Sequence, residues 1–120
     1  MEKSLYEKMR TKGRFNVNLK GTYRFKDHSR PHQECRITNL SPSGATAHFP
    51  SKESINKDIP VLIDISIPKT IMHVSTEAEI VWVKQRFNEL ICGVRFINIL
   101  SDTMIQKLIV ETPEGGPSSR

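Results

Sequence analysis

The sequence feature that most constrains the fold is an alternation of apolar and polar residues with a period of two, the spacing of one face of a β-strand. The clearest run is Val61, Ile63, Ile65 and Ile67. Similar alternation marks further segments, at residues 15–25, 33–40, 44–49, 74–84 and 90–97. Barrel closure removes the exposed edges of so many short strands. We therefore predict a mainly β fold, a six-stranded antiparallel β-barrel.

The two ends of the chain differ from this pattern. Residues 1–14 are predicted to form a flexible basic arm, in which Gly13 would end any short helix. Near the other end, Ser101 can cap a C-terminal α-helix that Pro113 stops. Four apolar residues of this helix are expected to face the barrel: Met104, Ile105, Leu108 and Ile109. The predicted organisation is thus the arm at 1–14, the barrel with its helix at 15–112, and a disordered tail at 113–120.

Charge and cysteine content limit the possible partners and location. The formal net charge of +5 favours an anionic partner, without separating RNA, phospholipid and dinucleotide. Cys35 and Cys92 each lie inside a predicted strand, and no secretory leader is evident, so buried free thiols are expected. No apolar run has the length of a membrane span. We expect a soluble, cytoplasmic, single-domain protein.

A first candidate motif lies in the basic arm, where Arg10 and Arg14 stand four residues apart in Arg-Thr-Lys-Gly-Arg. A guanidinium fork can form paired hydrogen bonds with the O6/N7 edge of guanine or with phosphate, and its face can stack on a purine. Gly13 favours a bent loop between the arginines, and such an arm can become ordered on binding a ligand. By spacing alone, the run fits a solvated basic tail more often than a site.

A second candidate motif follows the first predicted hairpin, in Asn39-Leu40-Ser41-Pro42-Ser43-Gly44. An extended backbone points Asn39 and Ser41 to one side, while Leu40 points into the core. The amide and the hydroxyl can contact a base edge or a phosphate, and Gly44 tolerates a positive φ in a tight turn. In isolation, the motif fits a simple Asx or Ser turn better than a binding site.

In this order, the two motifs resemble the R-x-x-x-R and [D/N]-x-S-x-x-G pair of the PilZ domain family. The later segments Ile80-Val81-Trp82-Val83 and Cys92-Gly93-Val94-Arg95-Phe96 are also similar to that family. The resemblance covers residues 10–108 and implies a split β-barrel that binds cyclic diguanylate (cyclic di-GMP). It implies that Arg10 and Arg14 hold guanines and phosphates, that Asn39 and Ser41 hold base and backbone, and that Gly44 shapes the turn. The possible secondary contacts are Met9, Lys12, Gly13, Ser43 and Arg95.

The sequence departs from the family pattern at two positions. Asn39 stands where many members have Asp, and a neutral amide accepts guanine N–H donors more weakly than a carboxylate does. We therefore expect a modest affinity. Met9 directly precedes Arg10, and the resemblance implies that an apolar residue at this position favours one bound ligand over a stacked pair.

Other chemistry finds little support in the sequence. His28, His32, His48 and His73 have no metal-ligand spacing, so no metal site is expected. Neither Ser41 nor Ser43 lies in a nucleophile elbow, and we expect no catalytic activity and no cofactor. By their alternation, Trp82 and Phe96 are predicted to belong to the core, and Arg95 is predicted to point outward.

The resulting hypothesis is a bacterial second-messenger receptor, acting in motility or biofilm formation as the resemblance implies. It would bind cyclic di-GMP and pass the signal through its arm to an unidentified protein effector in trans, as a monomer or weak dimer. One alternative is a PilZ-like protein-interaction module of motility or pilus assembly that binds no nucleotide. The other is a small basic barrel that binds RNA or single-stranded DNA, which we rank last because few exposed aromatic residues are predicted.

Overall fold

The structure is a computed structural model, and it describes residues 15–26 and 31–110. These described residues form six strands and one helix, which confirms the predicted fold class. The strands are β1 (Phe15–Phe25), β2 (Gln33–Ser41), β3 (Gly44–Pro50), β4 (Val61–Ser66), β5 (His73–Arg86) and β6 (Glu89–Phe96), and the helix is α1 (Asp102–Val110). The predicted N-terminal arm and C-terminal tail lie outside the described residues, and the proposed domain limits stay a prediction.

The strands form a closed barrel in the order β1-β2-β3-β6-β5-β4, with every neighbouring pair antiparallel. Closure occurs between β1 and β4, where Gly21 pairs with Ile65 and Phe25 with Val61. β1 therefore has hydrogen-bonded neighbours on both of its edges, β2 on one side and β4 on the other. No strand of the described barrel is left with a free edge along its whole length.

The alternating residues fill the barrel interior as the sequence predicted. In β4, Val61, Ile63 and Ile65 are each at most 1% exposed, whereas Leu62 and Asp64 between them are partly exposed. The same alternation along β1 buries its apolar side chains: Val17, Leu19, Tyr23 and Phe25. One buried face on each strand thus supplies the core, and the opposite face is available for a ligand.

Helix α1 is tied to the barrel at its start. The Met104 amide donates to Ser101 Oγ (3.2 Å), which confirms the predicted cap. Leu100 N donates to Pro42 O (2.9 Å), so the segment before the helix is attached to the β2–β3 turn. Ile105 and Leu108 are buried as predicted, but the prediction that Met104 faces the barrel is wrong, since 41% of it is exposed. The buried stripe follows an i, i+3, i+4 spacing from Ile105, and Met104 lies one residue outside it.

The two cysteines are free and buried, as the sequence predicted. Burial and the nearby Asp64 raise the pKa of Cys35 to about 12. Burial alone raises the pKa of Cys92 to about 11. Both side chains are therefore neutral thiols at physiological pH, and they behave as small apolar core residues.

Candidate functional site

The candidate site is a row of residues that crosses five strands on the outer face of the barrel. Asn39 of β2 pairs with Asn16 of β1 on one side and with Thr46 of β3 on the other. Thr46 pairs with Gly93 of β6, and Gly93 pairs with Trp82 of β5. Asn39 and Thr46 are partly exposed, while Asn16 and Trp82 are exposed. The row therefore presents two amides, a hydroxyl and an indole to solvent, while Gly93 between Thr46 and Trp82 is buried.

A β-bulge sets the orientation of Asn39. The β2–β3 register shifts between Ile37 and Asn39, and as a result both Thr38 and Asn39 are partly exposed while Leu40 is fully buried. Sequence alternation correctly predicted that Leu40 points inward. The bulge places the Asn39 amide on the outer face.

Ser41 and Gly44 form the last pair before the β2–β3 turn. The Ser41 hydroxyl donates to the carbonyl oxygen of Gly44 (3.3 Å), and its Oγ lies 3.5 Å from that of Ser43. Only 6% of Ser41 is exposed, whereas Ser43 is exposed at the turn. The structure thus separates Ser41 from Asn39: the amide faces solvent, and the hydroxyl is used to hold the turn.

Gly44 is required for a reason that differs from the one predicted. A Cβ at this position would lie 2.4 Å from the carbonyl oxygen of Val94, on the neighbouring strand β6. Its φ lies outside the left-handed region, so the expected use of a positive φ is wrong. The absence of a side chain lets β3 and β6 approach closely beneath the turn.

Arg95 points outward, as predicted, and its partner is now defined. It pairs with Gly44 on β3 and with Glu79 on β5, and its guanidinium donates to the Glu79 carboxylate. The Arg95 side chain is 65% exposed. An exposed ion pair of this kind is weak, so an anionic ligand can compete with the carboxylate for the guanidinium.

Trp82 is a candidate site residue that the sequence interpretation missed. It was predicted to be in the core, but 42% of it is exposed, while Phe96 is buried as predicted. The β5–β6 register shifts between Ile80 and Trp82, and this bulge leaves Val81 and Trp82 both on the outside. The signal that could have identified it is Gly93 on the facing strand, since an aromatic residue often covers a glycine across a sheet.

The arginine motif lies outside the described residues, together with Met9, Lys12 and Gly13. The described chain begins at Phe15, the residue after Arg14, and Phe15 pairs with Leu40. The next residue, Asn16, pairs with Asn39. The strand that follows the arginine motif therefore starts beside the second motif.

Comparison with known proteins identifies the family to which the chain belongs. A family model described as the PilZ domain matches residues 8–111. This chain belongs to the PilZ family. The matched span includes both candidate motifs, all six strands and the C-terminal helix.

Solved structures of two other PilZ-type proteins share the fold. The PilZ domain of YcgR from Escherichia coli, solved with c-di-GMP, is 15% identical with a TM-score of 0.60, over 79% of this chain and 82% of that one. The inhibitor of motility MotI (DgrA) from Bacillus subtilis is 13% identical with a TM-score of 0.61, over 79% of this chain and 46% of that chain. A search of curated protein sequences finds no significant match.

Beside the row, this PilZ domain has a charged groove of about 750 Å³ on its outer surface. His48 lies within it, with Nε2 3.0 Å from Thr38 Oγ1 and Nδ1 3.1 Å from Glu89 Oε1. Arg36 lies 3.4 Å from both His48 and Glu89. Because these side chains already pair with one another, the groove is a weaker candidate for a nucleotide than the adjacent row.

The described part of the chain holds neither a metal-ligand cluster nor a membrane-spanning helix. Residues 15–26 and 31–110 contain no group of three or more His, Cys, Asp or Glu side chains arranged to hold a metal ion. In the same residues, no helix is long and apolar enough to span a membrane.

Proposed function

We propose that this PilZ domain is a receptor for cyclic di-GMP and that the ligand binds across the outer row from Asn39 to Trp82. The observation that carries the proposal is the pairing of Asn16 with Asn39, because β1, whose first residue directly follows Arg14 in the sequence, begins beside this amide. The family match over both motifs supports it, as does the similarity in fold to a PilZ domain solved with c-di-GMP.

In this proposal each side chain has a distinct task. Arg10 and Arg14 contact guanine edges and phosphates, for which a planar fork with several donors is suited. Asn39 contacts a base through its exposed amide. Ser41 acts indirectly, because its buried hydroxyl already bonds to Gly44 and keeps the turn in place.

Trp82 supplies a stacking surface at the far end of the row. Its indole is 42% exposed, and a guanine has a large aromatic face that stacks well on such a ring. Arg95 lies two residues beyond Gly93 on β6 and exchanges Glu79 for a ligand phosphate. Both residues add contacts on the β5–β6 side of the row.

The domain acts as a binding module without catalysis and signals to a protein effector in trans. Ligand contacts order the N-terminal arm against the barrel, and the effector recognises the combined surface. The similarity in fold to an inhibitor of motility suggests a partner in motility.

Calorimetric titration of the full chain with cyclic di-GMP tests the proposal directly. Arg10→Ala and Arg14→Ala should each weaken binding by about 1–3 kcal/mol, the range for a lost bidentate contact to guanine. Lys107→Ala is the matched control, because Lys107 is an exposed cation on α1, an element that contributes no residue to the row. No binding by the unmutated chain would overturn the proposal and favour an interaction module that does not bind nucleotide.

The chain contains one tryptophan, so its fluorescence reports on the row itself. Cyclic di-GMP should change Trp82 emission with the same midpoint as the calorimetric titration. Trp82→Phe should keep most of the affinity, while Trp82→Ala should lose about tenfold through lost stacking. The same titration with single-stranded RNA tests the nucleic-acid alternative. An affinity for RNA that exceeds the affinity for cyclic di-GMP and increases with oligonucleotide length would favour a nucleic-acid function.

A further inference from the structure

The β5–β6 hairpin ends in an exposed aromatic residue that makes no contribution to the core. Arg86 and Glu89 form its last pair, and Phe87 and Asn88 make the turn. Phe87 is 91% exposed and has a φ of 53°, in the left-handed region that bulky residues avoid. The left-handed φ costs the folded protein stability, and the exposed ring gains no burial to offset it, a combination typical of residues kept for a function.

Three cations surround this tip. Lys84 and Arg86 precede Phe87 on β5, and Lys52 lies in the turn after Pro50, the residue that pairs with Glu89 at the base of the hairpin. All three side chains are exposed, and in the described part of the chain none is within salt-bridge distance of a carboxylate.

The acidic residues nearest the tip are engaged elsewhere. Glu89 lies 3.1 Å from His48 Nδ1 and 3.4 Å from an Arg36 nitrogen. Glu53, next to Lys52, accepts a hydrogen bond from the Tyr23 hydroxyl. The three cations at the tip are thus left to interact with an external anion.

The opposite end of β5 provides an internal comparison. There the loop before His73 exposes Ile71 (98%) and Met72 (57%), so its apolar exposure matches that of Phe87. Lys69 is the one lysine or arginine in this loop. Of these two apolar tips in the described part of the chain, the one at Phe87 lies among several exposed cations without a salt-bridge partner.

We propose that the β5–β6 tip docks on the surface of an anionic phospholipid bilayer. Phe87 enters the interfacial layer of the membrane, where aromatic rings are favoured, and Lys52, Lys84 and Arg86 contact lipid phosphates. A protruding tip with one aromatic residue fits a flat bilayer better than a nucleic acid strand, which needs several stacking surfaces along a groove. This inference goes beyond nucleotide binding and does not depend on it.

The docking would place the nucleotide row close to the membrane. Trp82 lies on β5, five residues before Phe87 in the turn that follows this strand, a separation of about 16 Å at the usual rise per residue. Trp82, Lys84 and Arg86 alternate along the same face of β5, so the bilayer and the nucleotide would approach adjacent parts of one surface.

Sedimentation of the full chain with lipid vesicles tests the proposal. Vesicles of phosphatidylglycerol and phosphatidylcholine should pull the protein down at low salt, whereas phosphatidylcholine alone should not. Phe87→Asn, which suits the left-handed turn, should reduce binding about tenfold through lost apolar burial. The double variant Lys84→Gln/Arg86→Gln should reduce it further, by about fivefold for each charge.

Ile71→Asn is the matched control and should bind the vesicles like the unmutated chain. An equal loss in Ile71→Asn and Phe87→Asn, or equal binding to charged and neutral vesicles, would overturn the proposal. So would an absence of vesicle binding together with single-stranded RNA binding that Phe87→Asn abolishes. Because the vesicle assay contains no nucleotide, its outcome is independent of the calorimetric test with cyclic di-GMP.

Discussion

The indole of Trp82 occupies the space that any side chain on Gly93 would need. A Cβ on Gly93 would lie 2.1 Å from Trp82 Nε1 and 2.4 Å from Cε2. The two residues face each other across the β5–β6 ladder at a bulge. Gly93 therefore determines where the exposed ring lies, and with it the β5 end of the candidate row.

Gly93→Ala should displace the Trp82 ring and weaken ligand binding. We expect a red shift of the tryptophan emission, because the ring moves further into water, and a loss of stability of about 1 kcal/mol from crowding. Emission spectra and calorimetric titration of the same sample measure both effects. An unchanged spectrum with unchanged affinity would show that the ring does not take part in the row.

Gly44→Ala should destabilise the fold more than Gly93→Ala does. The new Cβ would meet the Val94 carbonyl oxygen at 2.4 Å, and a backbone atom within a ladder cannot move aside as a side chain can. We expect a loss of about 3 kcal/mol, at the upper end for crowding. Urea denaturation of the two variants gives the comparison, and a smaller effect at Gly44 would contradict the close approach of β3 and β6.

Phe87→Asn should stabilise the protein while removing the membrane contact. The left-handed conformation costs a bulky residue about 1 kcal/mol, and Asn adopts it more readily. Lys69, at φ 67°, is the matched position, so Lys69→Asn should raise the thermal midpoint in the same direction. A lower midpoint for Phe87→Asn would mean that the ring has a structural role.

Asn39→Asp should strengthen the binding of cyclic di-GMP. A carboxylate accepts two N–H donors of one guanine, and a charge-assisted hydrogen bond exceeds a neutral one by about 1 kcal/mol, equivalent to roughly fivefold in affinity. Asn16→Asp, on the facing strand, controls for a general effect of negative charge. A weaker affinity in Asn39→Asp alone would indicate that position 39 faces a phosphate.

Alkaline pH should destabilise the fold through its buried thiols. Cys35 and Cys92 have pKa values of about 12 and about 11 in the folded state, so both remain protonated when the unfolded chain loses these protons near pH 9. Their stabilisation is complete below pH 9 and is lost as pH rises toward 11–12, by at most about 1.4 kcal/mol per pH unit for each thiol. Urea denaturation between pH 8 and 10.5 measures the slope, and the double variant Cys35→Ala/Cys92→Ala should flatten it.

The sequence predicted the barrel because burial and alternation coincide in nearly every strand. A shift of the strand register by one residue would move Ile63 and Ile65 from the buried face to the outer face, so the burial of these residues fixes the register. Trp82 was misassigned because a bulge changes the phase of the alternation without changing composition. The role of Gly44 was equally hidden, since it depends on Val94, a residue fifty positions later in the chain.

The candidate site was only partly predictable. Asn39 was correctly placed on a strand next to a turn, but the buried state of Ser41 depends on its hydrogen bond to Gly44, which a motif does not reveal. Trp82 joins the candidate row through the strand order β3-β6-β5, which places β6 and β5 beside the strand that follows the second motif. The roles of Arg10 and Arg14 stay predictions.

The uneven pairing of β1 has a consequence for how a signal can leave this domain. The start of β1 pairs with β2 alone, and the ladder between β1 and β4 begins only at Gly21. A rearrangement that entered β1 at Phe15 would therefore break the β2 ladder first and leave the β4 ladder, and with it the closure of the barrel, in place. The β2 ladder includes the pair of Asn16 with Asn39, so such a change would reach the candidate row before it reached the rest of the barrel.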